Sequence, residues 1–172
     1  MTDLIKIYTT SFYSSSLWDL FSAQCERIST SWNITIRTIF KIPPQSHNYL
    51  IESLSNCLHV KVMLASRFVQ FSKSLVDNKK SCIRLLSNIC VGDRRRIHGR
   101  NLFNLQRVMD CNKDELSSSF IKANMKFKPL PEEEQWRVPL LKNLLEIRND
   151  TMVLNNFEKE EINDMIKEIC IN

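Results

Sequence analysis

Four arginines within seven residues, Arg94-Arg95-Arg96-Ile97-His98-Gly99-Arg100, form the densest cationic cluster in this chain of 172 residues. Lys79, Lys80 and Arg84 stand shortly before it. Planar guanidinium forks donate in pairs to phosphate oxygens, so the cluster suits the backbone of RNA or DNA. The bland counterpart is a solvated loop whose charge serves solubility. Arg37 and Lys41, with Arg27 and Arg67, fall off the apolar faces of their predicted helices. A helical clamp on nucleic acid would carry its cations there, as would any surface helix.

Catalytic chemistry finds no comparable constellation. The three histidines, His47, His59 and His98, are far apart in sequence, and none sits in an HExxH or Cys-pair setting. There is no GxSxG and no P-loop. The aspartates read as caps, turns and exposed faces, with no pair flanked by apolar strand residues to hold two metal ions. We therefore expect no catalytic residue, no metal site, no cofactor and no small-molecule substrate. Six cysteines (25, 57, 82, 90, 111, 170) are spread along the chain without a CxxC. They read as reduced core cysteines of a cytoplasmic or nuclear protein, in which the sequons at Asn33 and Asn149 stay bare. No apolar run is long enough to span a membrane, and MTDLIKIYTT lacks the order of a secretory signal.

The elements that must position the cations are helices. Two glycines in the whole chain argue against hairpins and an all-β fold. Between Ala23 and Ile42 the apolar residues Cys25, Ile28, Trp32, Ile36, Ile39 and Phe40 step by three and four, ending at Pro43-Pro44. A short helix is predicted from His47 to Leu58, capped by Ser46, and a longer one from Val60 to Val76. Another starts at Ser81 and reaches about Cys90. Residues 92–101, bounded by the two glycines, read as a loop and hinge. Leu102–Val108 is open between helix and strand. Asn112 caps a predicted helix to Met125, and Lys126–Glu134 is a connector. Trp136–Ile147 and Glu158–Ile171 complete the pattern, with Phe157 on the inner side of the last. Trp18, Trp32, Phe40, Phe68, Phe71 and Trp136 fall on apolar stripes and are expected in the core. The fold class is all-α, an irregular bundle of about seven amphipathic helices. Charge is uneven: residues 1–111 carry 15 Lys and Arg against 7 Asp and Glu, residues 112–172 carry 9 against 12. A polyanion would meet the front part.

Several segments in order resemble a known family. FYSSSLWDL at Phe12–Leu20 resembles the Phe-Tyr-Gly-Ser-x-Leu-Trp-Asp signature that follows the palm in reverse transcriptases of non-LTR (LINE-type, jockey-like) retrotransposons, with Ser14 in the glycine's place. SWNITIRTIFKIPPQSHNYLIESL is similar to the next run, through Trp32, Arg37, Ile42-Pro43, His47 and Leu50. RFVQFSKSL, GRNLFNL and the closing WRVPLLKNLLEIRND…FEKEEINDMIKEIC resemble later blocks. The resemblance implies a thumb-like helical region at 1–91, the basic hinge at 92–101 and a C-terminal helical module at 102–172. It also implies that endonuclease, fingers, palm and metal-binding aspartates belong upstream of Met1. The expected function is weak, sequence-independent binding of RNA or DNA through Arg94, Arg95, Arg96 and Arg100, then Lys79, Lys80, Arg37 and Lys41, with the palm domain as the implied protein partner. An apolar patch on Leu4–Trp18 would mark the severed junction. The alternatives are a helical protein-interaction module and a functionless relic.

Overall fold

The computed structural model describes residue 12 and residues 14–55, 57–125, 132–150 and 155–171. The chain is all-α. Among the described residues eight α-helices run in the order α1 (Ala23–Phe40), α2 (Asn48–Ser55), α3 (Val60–Val76), α4 (Ser81–Gly92), α5 (Ile97–Met109), α6 (Ser118–Asn124), α7 (Arg137–Asn149) and α8 (Asn156–Ile171). Short 3-10 turns lie at Ser15–Leu17 and Glu132–Glu134, and no strand occurs among the described residues. None of these helices is long and apolar enough to cross a membrane.

Two compact units divide the chain. The first joins Asp3–Ser29 to Leu58–Lys126, the second joins Thr30–Cys57 to Phe127–Asn172, and the division falls inside α1. Residues 92–101, predicted as a loop and hinge, lie within the first unit, where α5 packs back on α4.

The first unit is organised on α3, which packs against the Ser15–Leu17 turn, α4 and α6. Val60, Leu64, Phe68 and Val69 of α3 are buried, as are Leu105 of α5 and Ile121 of α6. The Phe68 ring lies 5.0 Å from His98. Burying a side chain such as Phe68 contributes about 1.5–3 kcal/mol, which offsets the poor helix propensity of the β-branched residues in α3. His59 begins α3 by accepting a hydrogen bond from the Lys61 amide at Nδ1, 3.2 Å away.

The second unit gathers Ile42, Leu50 and Leu54 with Leu141, Leu144 and Leu145 of α7 and Ile162, Ile166, Ile169 and Cys170 of α8. α1 ends before the prolines. Lys41 turns into the left-handed region (φ 50°), and Ile42 N–H donates to the Arg37 carbonyl at 3.0 Å, a Schellman closure. The Arg148 guanidinium then donates to the orphaned carbonyls of Phe40 (2.6 Å) and Lys41 (2.9 Å).

Several local expectations are corrected. Residues 97–101 are helical, since Asp93 closes the turn before them. Ser46 does not cap α2; its hydroxyl donates to the Pro43 carbonyl at 2.6 Å. The helix expected from Asn112 starts only at Ser118, where Ser117 Oγ accepts from Phe120 N–H. Asn112 instead donates its amide to Glu115, closing a separate turn. Trp136 and Phe157, expected inside, are 55% and 76% exposed, each at a helix start where the chain has not yet met its neighbours. Cys82 is exposed too, while Cys25 and Cys170 are buried. Most of Leu4–Trp18, and 126–131 of the connector, lie outside the described residues.

Candidate nucleic-acid interface

Residues 93–96 join α4 to α5, and Asp93 shapes the junction. Its Oδ1 accepts from the Arg95 amide at 3.0 Å and its Oδ2 from Arg96 Nε at 3.3 Å. Arg94, Arg95 and Arg96 are all exposed. The Arg94 guanidinium lies 3.9 Å from the centre of the Phe103 ring, a cation–π contact that anchors it on α5. Arg96 gives Asp93 only its Nε and keeps its terminal amino groups for other acceptors. The Arg95 side chain has no partner among the described residues.

Arg100 stands one turn into α5 and is committed elsewhere: its Nη2 donates to Asp19 Oδ2 at 2.7 Å. Asn101, which the sequence did not single out, is completely buried. It donates Nδ2–H to the Trp18 carbonyl at 2.7 Å and accepts the Leu20 amide at 3.1 Å. The sequence reading placed it at the end of the loop 92–101, so no helical stripe marked it. Beside the Asp19–Arg100 pair lies an open groove of about 680 Å³ walled by Trp18, Ile28 and Ile97.

The remaining candidates separate from this cluster. Lys79 and Lys80 are exposed at the start of α4. The length of that helix, about 18 Å, stands between them and Arg94. Arg37 and Lys41 belong to the second unit. Arg37 is half-buried and structural, donating to the Ser46 carbonyl at 2.7 Å and to Asn48 Oδ1 at 2.6 Å. Burial draws its guanidinium below its ordinary pKa. Lys41 contributes its backbone to the close of α1 while its side chain is exposed.

Charge divides between the compact units as it does between the linear halves. The first unit holds 16 Lys and Arg against 8 Asp and Glu, a net of +8; the second holds 8 against 11, a net of −3. Burial, with Lys61 adding to it, pushes His59 down to about 4, and burial also lowers His98. No group of three or more His, Cys, Asp or Glu among the described residues is placed to hold a metal ion. Comparison with protein-family models, curated proteins and solved structures finds no match.

Proposed function

We propose that the first unit binds RNA or DNA weakly and without sequence preference through Arg94, Arg95 and Arg96. The observation that carries this is three adjacent exposed guanidiniums on one short connection of a unit with net charge +8. Phosphates are met by such forks, and displaced counterions then supply the affinity. Lys79 and Lys80 extend the basic surface at the other end of α4, whereas Arg100 is engaged by Asp19, Arg37 by Ser46 and Asn48, and the exposed Lys41 belongs to the second unit.

In this proposal the chain is the non-catalytic C-terminal portion of a non-LTR retrotransposon reverse transcriptase, holding template and primer in the cytoplasm or nucleus while a palm domain does the chemistry. The ordered matches from Phe12 to Cys170 support it. So does Ser14, which stands in the place of the family's glycine and takes φ 60°, a conformation glycine adopts without strain.

A salt series on a mixed RNA/DNA duplex tests the binding. Retention at about 50 mM salt with micromolar-range affinity, falling steeply toward physiological salt, is the expected result. Replacing Arg94, Arg95 and Arg96 together by Gln should lower the slope of log K against log salt by about 2.7. Absence of retention at low salt, or an unchanged slope in the triple variant, overturns the assignment.

A further inference from the structure

The helix between the two cationic groups, α4, is apolar on two sides and buries only one. Successive residues turn by about 100°. Ser87 is buried and Ile83, Cys90 and Val91 are half-buried, which defines the inner side. Ser81, Arg84 and Asn88 make a polar strip on one flank. On the outer side Cys82, Leu85, Leu86 and Ile89, at i, i+3, i+4 and i+7, are all exposed. Leu85 is 62%, Leu86 61% and Ile89 51% accessible. A solvent-facing helix ordinarily gathers its apolar residues on the single face it buries. The outer stripe of α4 is a contiguous patch on the order of 300 Å², within the range of the largest apolar patch on a typical monomer, a patch that is often functional.

The surrounding charges specify what covers it. Lys79 and Lys80 stand at one end of the stripe and Arg94, Arg95 and Arg96 at the other. No acidic residue lies between Asp77 and Asp93, and Asp93 is already held by the Arg95 amide and Arg96. A second copy laid on the stripe in either direction would set cations against cations, so self-pairing is opposed. We infer that the Cys82–Leu85–Leu86–Ile89 stripe docks an amphipathic helix of another protein, one with Leu, Ile or Met at i, i+3, i+4 and i+7 and carboxylates near both ends. The apolar anchors supply affinity, and the flanking carboxylates set orientation against the two cationic ends. The apolar stripe stands apart from the nucleic-acid proposal, while the cations that orient its occupant are the same Lys79, Lys80 and Arg94–Arg96, so the variants that test the two are kept separate.

The experiment uses the full chain and a synthetic amphipathic peptide of about four turns, with Leu on one face and Glu at both ends. A peptide of the same composition in scrambled order serves as control. Fluorescence anisotropy should show micromolar binding of the ordered peptide alone. The double variant Leu85→Ser/Ile89→Ser should weaken it about ten-fold or more while circular dichroism and duplex retention stay unchanged, since both side chains point into water. Leu86→Ser provides a second variant should the first fail to fold. Equal binding of the scrambled peptide, or none of either, overturns the inference. So does sedimentation of the unmodified chain as a dimer that the double variant dissociates. Binding to phosphatidylserine vesicles that the double variant abolishes, without ordered-peptide binding, would assign the stripe to a lipid surface instead.

Discussion

Arg100 places its Nη2 2.7 Å from Asp19 Oδ2, joining residues 81 positions apart in sequence. Its neighbour Asn101 holds the backbone on either side of that aspartate, at Trp18 and Leu20. One turn of α5 thus clamps the Trp18–Leu20 segment through one exposed ion pair and two hydrogen bonds from a buried amide. The two residues should differ sharply in consequence. Asn101→Ala leaves a buried carbonyl and amide unpaired and is expected to cost about 2–4 kcal/mol in urea unfolding. Arg100→Gln, at a solvent-screened pair, should cost less than about 1 kcal/mol. Equal losses would contradict this division.

The two glycines should also part company. A Cβ on Gly99 would stand 2.4 Å from the Asp93 carbonyl oxygen and 2.8 Å from that of Cys90, both backbone atoms that do not yield easily. Gly99→Ala is expected to destabilise the first unit by roughly 1–3 kcal/mol. Gly92 is helical with nothing within 4 Å of such a carbon. Gly92→Ala should be neutral or stabilise by up to about 1 kcal/mol, through the unfolded chain's lost freedom. Thermal melting of the two variants reads the difference in sign.

Ser14 and its φ of 60° make a third case. A side chain in the left-handed region costs about 1 kcal/mol, which glycine does not incur. Ser14→Gly should therefore raise the melting temperature by about 1–2 °C, what is left once the backbone entropy of the added glycine is subtracted. A lowered melting temperature would show that the Ser14 side chain earns its place through contacts.

His59 makes stability depend on pH. Its Nδ1 accepts the Lys61 amide, so the neutral ring carries its proton on Nε2, 3.2 Å from Ser29 Oγ. Burial and the Lys61 charge hold its pKa at about 4 in the folded chain, below the ordinary value of 6.5. The unfolded chain then binds the extra proton first. Stability is full above about pH 6.5, falls as pH drops from there to about 4, and levels off below, as far as this group decides it. His59→Asn keeps a capping acceptor without the titration and should flatten that window in pH-dependent urea unfolding.

Arg37 and Arg95 should separate stability from binding. Arg37→Gln removes charged donors from Ser46 and Asn48 and should cost about 1–3 kcal/mol, with the duplex salt slope intact. Arg95→Gln, with no side-chain partner among the described residues, should leave unfolding unchanged and reduce the slope by about 0.9. The reverse pattern would move the interface to the second unit.

Periodicity alone determined much of this protein. The 3.6-residue spacing of Cys25, Trp32 and Ile36, or of Leu64 and Phe68, is a local property that the chain displays before it folds, so helix class and most boundaries were legible. The cationic run at Arg94–Arg96 was legible for the same reason. Tertiary structure decided which cations remain available. Arg37 and Arg100 look like Arg95 in sequence, but Ser46, Asn48 and Asp19 claim them through contacts that no local pattern records. It also decided how the chain divides, since compact units form by burial between distant segments, not at the glycines that punctuate the sequence. Most plainly, it decided which side of α4 is covered. Both sides carry apolar residues at helical spacing, and only the packing partner on one of them tells Ser87 from Leu85.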